Sequence, residues 1–552
     1  MLSSPTCGSL LSILEVLSAI LPSDNRVTFT VTACIALFFC FLASKFTVTP
    51  WRKLPPGPRG WPLIGNALEL RDKQWLKFSA WRKLYGDILF LDAAGQPIVV
   101  LNSQKAAADL LDRRAGIYSD RPQWIVASDI MTSGLLVVFA HYGDLWRRMR
   151  KAAHEGLNKG SSKDFHTYQT AEALLLARAG LLNPKGWDRH LRRAAASMVL
   201  SVVYDTPPIR NEDDVRVQRI NNFVQRLTRA AYPGAHWVDI FPWMRNIPSS
   251  LAGWKRQAEE WNVQDSAMFQ HLFLGVKESI VSFPSLPLYC ARGDSFSQTR
   301  GDDRPSLSAT LIRDAGRHGL STLENSWLAG TMYAAGAETT SAVMSWWSLA
   351  MLAYPDCQKR AQDELDAVVG RHRLPTFSDF PHLHYIRAVV KEALRWRPVD
   401  PIGLPHRSTE DDFYEGYFIP KGAIVIANVW ELNRDPLVYG DDAAHFNPSR
   451  HLDANGRICP GPADTKEESH FTFGFGRRIC VGRHVANNSL FIDIAICLWA
   501  FTMNKVQGED LDIDGFVEDG LVVRPVPFTV DIQPRFPEAV ALLAHECESF
   551  DN

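Results

Sequence analysis

The hydrophobic and polar pattern changes character several times along the chain, and each change predicts a different element. From Val27 to Ser44 the sequence VTFTVTACIALFFCFLAS carries no charge. With its flanks it is long enough to cross a bilayer, which predicts a transmembrane helix over about residues 27–48. A shorter apolar run, Leu10–Leu21, contains Glu15 and predicts an interfacial stretch or an extension of the anchor. Leu54 to Pro62 holds four prolines, which exclude a regular helix or central strand and predict a stiff, extended connector. Two short apolar runs, Ile88–Leu91 and Ile98–Leu101, are separated by Asp92–Pro97 and predict a small β-region. From about residue 145 the pattern is mainly helical. Pro284–Leu307 is rich in Ser, Asp, Arg and Gly and predicts a surface loop.

The sharpest helix signal begins at Ser321. Ser321-Thr322-Leu323-Glu324 is a capping box, in which the Ser side chain and the Glu three residues on satisfy each other's free amides. Apolar residues continue to Tyr354, and Pro355 stops the helix. About 30 residues at ~1.5 Å each give a rod of ~45 Å. Apolar residues on nearly every face predict that it runs through the core. Pro355 opens a second, amphipathic helix that Gly370 closes. A last apolar helix is predicted over roughly Arg483–Met503.

Composition narrows the class. The 552 residues are 46% hydrophobic and 22% charged, the balance of a globular protein. No clean domain linker follows the anchor, so the expected organisation is an anchor at 1–50, a Pro-rich hinge at 51–66, one large domain at 67–535 and a tail at 536–552. A net charge of −2 offers no field to recruit nucleic acid. Nine cysteines, an odd number without any C-x-x-C pair, argue against a disulfide scaffold or a structural zinc site and for a reducing compartment. Lys45, Arg52, Lys53 and Arg59 follow the apolar span, whereas only Asp24 and Arg26 lie just before it. The positive-inside rule therefore places everything after residue 45 in the cytosol. A cleaved signal peptide is disfavoured by the missing basic n-region.

The segment that carries chemistry is Phe473-Gly-Phe-Gly476-Arg477-Arg478-Ile479-Cys480-Val481-Gly482. A cysteine sits after a glycine-rich turn and before an apolar helix, where backbone amides favour the thiolate. Gly476 and Gly482 allow a close backbone approach to a flat ligand, and Arg478 can pair with a buried carboxylate. A soft thiolate with one open side suits iron in an oxygen-activating macrocycle.

This segment matches, at every fixed position, the F-x-x-G-x-R-x-C-x-G signature of the cytochrome P450 family, which the chain resembles over nearly its whole length after residue 50. The resemblance implies a mainly α fold with a small β-region, the cytochrome P450 fold, behind the N-terminal transmembrane helix. It implies haem b (iron protoporphyrin IX) with Cys480 as the axial ligand. Glu392-Ala-Leu-Arg395 resembles the family's E-x-x-R pair, which with Arg450 of Asn447-Pro448-Ser449-Arg450 locks buried structure. His451 stands where the family often has Phe, which leaves the packing of that segment open. Ala335-Gly336-Ala337-Glu338-Thr339-Thr340 resembles the oxygen-activation motif, with Gly336 opening a groove for dioxygen and Glu338 and Thr339 relaying protons. The alternative for Thr339 is a bond back to a helix carbonyl. Trp146 and Arg150 resemble the W-x-x-x-R pair that holds a propionate, and Arg121 and His406 resemble further propionate partners.

Function follows as an expectation. The resemblance implies a monooxygenase that takes electrons from NADPH through NADPH–cytochrome P450 reductase, with cytochrome b5 as a further candidate donor, in the endoplasmic reticulum membrane. Arg147, Arg148 and Lys151, with Arg477 and Arg483, form a candidate docking patch for the acidic reductase; a solvated face is the alternative. By analogy with the fold, substrate would meet Gln123–Phe139, Leu227–Trp254, Met332–Ala335, Val399–Leu404 and Gly520–Val522. These segments are mostly apolar, which points to an apolar small molecule. The overall pattern is most similar to fungal enzymes of secondary metabolism, acting on a terpenoid or an aromatic polyketide. The aromatic stretch Trp237–Trp254 is a candidate for the bilayer surface. Two rival readings are a haem-thiolate isomerase or dehydratase that needs no dioxygen, and a non-catalytic haem sensor.

Overall fold

Alternation and β-branching set the small sheet. In the computed structural model, β1 (Ile88–Ala93) and β2 (Gln96–Leu101) form the expected hairpin, turning at Ala94-Gly95, where both residues have positive φ. The fully buried Val99, Val100 and Leu101 of β2 pair in parallel with β4 (Ile424–Ala427), and β3 (His406–Arg407) joins β4 on its other side. Residues 50–549 are described except 71, 212, 233–234, 283–304 and 520–521. The expected membrane span, the Leu10–Leu21 run and most of the 284–307 loop lie outside the described residues. Among those described, no helix is long and apolar enough to cross a membrane.

By its contacts the chain divides into two units. Among the described residues the smaller holds Pro50–Pro55 and Glu410–Lys421, with the short helix Pro50–Lys53 and a hairpin, Asp412–Tyr414 with Tyr417–Ile419, whose Phe418 meets the edge of Trp51. The larger contains everything else and is mainly helical. In chain order its main helices are α1 (Gln74–Tyr85), α2 (Asp144–Leu157), α3 (His166–Leu182), α4 (Trp187–Tyr204), α5 (Val215–Ala231), α6 (Gly253–Ser282), α7 (Thr322–Ala353), α8 (Pro355–Val368), α9 (His384–Trp396) and α10 (Arg483–Ala500).

Helix α7 organises this unit. Its capping box is formed: Ser321 Oγ accepts from the Glu324 amide, and the Glu324 carboxylate accepts from the Ser321 amide. Pro355 then opens α8, and Gly370 follows its end at φ 78°. The first half of α7, including Trp327, Tyr333 and Ala337, packs in one hydrophobic core with α2, α4 and α5. The second half, from Ala342 to Leu352, packs in another with α9 and α10. Helix α10 ends at Ala500, not near Met503 as expected. Phe501–Asn504 is instead a strand paired with Asp531–Pro534, because hydrogen bonding to that distant strand overrides local helix propensity.

Candidate functional site

The two cores meet where α7 changes partners, and the chemistry-bearing residues lie along that seam. On a helix otherwise buried from Asn325 to Leu352, Ala335 is exposed and Gly336, Glu338 and Thr339 are half-buried. An opening in the middle of a core helix is an interior void, not surface. Cys480 carries the same signature. It precedes α10, its neighbours Val481 and Val485 are core, yet its own side chain opens onto space within the fold, away from bulk water.

The loop that presents Cys480 is held by its own backbone. The Cys480 amide donates to Phe473 O at 2.8 Å, closing the turn. Gly476 has φ 58°, and a Cβ there would lie 2.1 Å from Leu111 O. The observed role of Gly476 is therefore to seat the loop on Leu111, while its amide donates to Asp112. At Gly482 a Cβ would meet nothing within 4 Å. The amides ahead of α10 do not by themselves make a thiolate: burial pushes the Cys480 thiol up, and Arg150 and the Gly482 amide oppose it only in part.

Around the cysteine stand three guanidiniums without carboxylate partners among the described residues. Arg121 donates to the carbonyls of Val138 (2.9 Å), Leu404 (2.6 Å) and Pro405 (2.7 Å). Arg478 donates to Ser119, Val137 and Ala140 carbonyls and stacks 4.2 Å over the Trp146 ring. Arg150 donates to the carbonyl of Ile479. Burial pushes Arg121 down to about 10, with the charges of Asp400 and Asp120 opposing it, and pushes Arg478 down to about 8, with the neighbouring Arg121 adding to it. Uncompensated buried cations are costly, and this cluster beside a soft sulfur fits a flat dianionic group carrying a metal. An iron porphyrin with two propionates is such a group, so the residues present fit haem.

Trp146 donates its indole N–H to Val137 O at 3.1 Å, so its contribution to the cluster is the face under Arg478. His406 is reached by β3, and its Nδ1 lies 2.7 Å from Tyr118 O. Burial, then Arg121, pushes this imidazole down to about 3. It is thus neutral in the protein alone, and a nearby carboxylate is needed to charge it.

The segment Ala335–Thr340, which resembles an oxygen-activation motif, is placed in an unexpected way. A Cβ on Gly336 would lie 2.6 Å from Val199 Cγ2, so the missing side chain makes room for α4. The Thr339 hydroxyl donates to Ala335 O at 2.8 Å, the back-bond weighed from sequence, which still leaves its oxygen able to accept. The Glu338 carboxylate lies 3.3 Å from Arg524 and 3.8 Å from Arg192. Arg524 is buried in the apolar strand Val522–Pro525. A lone arginine in LVVRPVPF was the available sequence signal for it.

The E-x-x-R network is complete, with Glu392 and Arg395 fully buried. Arg395 grips both oxygens of Glu392 at 2.7 and 2.8 Å, and Arg450 reaches Glu392 at 3.1 Å. Arg395 also donates to the carbonyls of Asn433, Ala443 and His445, tying the cysteine-bearing half of the chain to α9. His451, unusual at its position, adds a fourth member with Nε2 at 2.9 Å from Glu392 Oε2. Burial alone would raise the Glu392 carboxyl, but Arg395 and His451 outweigh it and hold it well below the usual carboxylate range.

One cavity of about 160 Å³ collects four of the five segments expected to meet substrate: Trp124 and Phe139, Thr228 to Tyr232, Asp400 to Leu404, and Val522. Met332–Ala335 is not in its lining. Of the candidate docking patch, Lys151 is exposed, Arg147 and Arg148 share Asp144 at 3.8 and 3.0 Å, Arg477 donates to the Tyr142 hydroxyl and Arg483 lies 3.5 Å from Glu468.

Comparison with known proteins agrees with this geometry. Residues 55–532 match the cytochrome P450 family. The chain is 62% identical over 537 residues to a cytochrome P450 monooxygenase of Armillaria gallica, covering 96% of this chain and 99% of the relative. The monooxygenase iboC of Amanita muscaria is 39% identical over 578 residues, with 96% and 99% covered. A zebra fish cytochrome P450 structure with progesterone superposes with a TM-score of 0.67 at 27% identity, over 84% of this chain and 99% of that one. With its cysteine loop, its buried E-x-x-R network and these fungal relatives, the chain belongs to the cytochrome P450 family and is a haem monooxygenase.

Proposed function

We propose that this enzyme oxidises a small molecule with a largely apolar body, drawn from fungal secondary metabolism, with electrons from NADPH delivered by a membrane-bound reductase. Haem b would be held by Cys480, with Arg121, Arg150 and Arg478 at its propionates, and when bound it supplies dioxygen activation. The observation that carries the substrate reading is the cavity walled by Trp75, Trp124, Phe139, Leu404 and Val523, because apolar walls select apolar ligands. The exposed arginines and Lys151 near α2 support the reductase reading, since such a patch steers an acidic partner.

Thr339 can accept a proton-bearing water while its own hydroxyl is anchored on Ala335, and Glu338 is kept close by Arg524. Thr339→Ala is expected to lower product formation by about 10²-fold while NADPH consumption continues, measured in membranes containing the reductase. A wild-type enzyme that turns over without NADPH and reductase would reject the monooxygenase cycle in favour of an isomerase.

A membrane face is part of this proposal. Trp237, Phe241, Trp243 and Leu251 are exposed, Trp237 and Leu251 by 69% and 80%, in and around the two short helices Trp237–Ile240 and Pro242–Asn246 that follow α5. Such an apolar patch inserts into headgroups more readily than it stays in water. Replacing Trp237, Phe241 and Trp243 by serine together is expected to lower vesicle binding of a chain truncated at residue 50 by at least about tenfold, at roughly 1.5–3 kcal/mol per aromatic. Unchanged flotation would remove the patch from the membrane contact.

A further inference from the structure

The cavity is apolar in its walls but not throughout. Asp400 lines it between Val399 and Pro401, and its carboxylate has no ion pair and no side-chain hydrogen-bond donor among the described residues. Only the backbone amides of Ile402 and Gly403 approach it. The nearest cation is Arg121, but the hydrogen bonds of that guanidinium all go to backbone carbonyls, and the two groups are not in ion-pair contact. The other charges in the lining, Lys73 and Glu518, are exposed and opposite in sign, so solvent screens them and they offset each other. Lys73 lies 5.0 Å over the Phe516 ring. Asp400 is therefore the charge that an incoming molecule meets away from bulk water.

An under-satisfied carboxylate facing an apolar cavity is unfavourable for the empty protein and favourable for a ligand that supplies the missing charge. Resting on the reading of this cavity as the substrate site, we propose that it recognises a molecule with an apolar body and a cationic amine head, with Asp400 as the residue that sets this specificity. The competing account is purely local: the carboxylate caps the turn Asp400–Gly403, where Gly403 has φ 58°. Burial supports an interior location, since it pushes this carboxyl up to about 7, with Arg121 opposing. A cation beside it would draw it back down, so binding and ionisation reinforce each other.

The test uses the purified, haem-loaded full chain at pH 8, where the carboxyl is mostly ionised. The probes are (4-phenylbutyl)trimethylammonium, which can neither ligate iron nor donate a hydrogen bond, and its neutral carbon isostere (5,5-dimethylhexyl)benzene. Affinities come from equilibrium dialysis, with the haem spectrum recorded in parallel. The variant is Asp400→Asn, which keeps an oxygen to cap the turn and removes the charge. The expected result is that the variant loses about tenfold in affinity for the cation, close to 1.4 kcal/mol, with the isostere unchanged. Equal affinities for the cation in the two proteins overturn the proposal, and so does an equal loss for both probes, which is the signature of a broken turn. If both probes bind but neither perturbs the haem spectrum, the cavity is not the substrate site, and it is the underlying reading that fails.

Discussion

Cys480→Ser is expected to abolish the red-shifted Soret band of the reduced, carbon-monoxide-bound protein, and turnover with it, while the fold persists. The shift arises because sulfur donates electron density through iron, and a serine oxygen does not reproduce it. No substitute thiol is at hand: among the described residues Cys357 and Cys459 are half-buried, Cys497 and Cys547 are buried, and only Cys480 is open to the interior. The difference spectrum and far-UV circular dichroism together read the outcome. A variant that keeps both its helix content and the shifted band would show that another residue ligates the iron.

Glu392→Gln is expected to be the most destabilising single change in the helical unit. It leaves Arg395, Arg450 and His451 converging on a neutral amide in a site with no solvent access. Removing one partner of such a buried group costs roughly 3–5 kcal/mol, against about 5–15 kcal/mol for a whole domain. The check is the urea midpoint of the haem-free protein and the fraction that retains haem after refolding. The pH dependence follows from the sign of the shift. Glu392 is held below its unfolded value, so its stabilisation is fully present above the ordinary carboxylate range. It is lost progressively as pH falls from that range down to the lower folded value. The wild type should therefore show an acid-destabilisation step that the Gln variant lacks. Equal acid limbs in the two proteins would mean that the carboxylate is not ionised in the fold.

Much of this molecule was legible without coordinates, and the legible parts share a cause. The capping box at Ser321, the proline that ends α7 and the glycine-rich cysteine loop are local: neighbouring residues satisfy each other's amides or permit one backbone conformation. The apolar runs of β1 and β2 are equally local. The end of α10 was not, because Phe501–Asn504 leaves the helix to pair with a strand some thirty residues away. The same holds within the segment Ala335–Thr340. Sequence marks Gly336 and Glu338 as unusual inside a buried helix, but what they touch, Val199 and Arg524, comes from other elements.

The chain's own sequence determined the family, the candidate iron ligand and the E-x-x-R pair, because each is a set of residue types at a fixed spacing on one loop or one helix turn. Only the tertiary structure decided the rest. It made His451 a member of the Glu392 network, left three guanidiniums around Cys480 bonded to carbonyls with no carboxylate in contact, and pointed Asp400 into a cavity that its apolar surroundings in sequence gave no reason to suspect. Those outcomes depend on distances between residues far apart in the chain and on how much water each group loses, and neither quantity is written in the order of the residues.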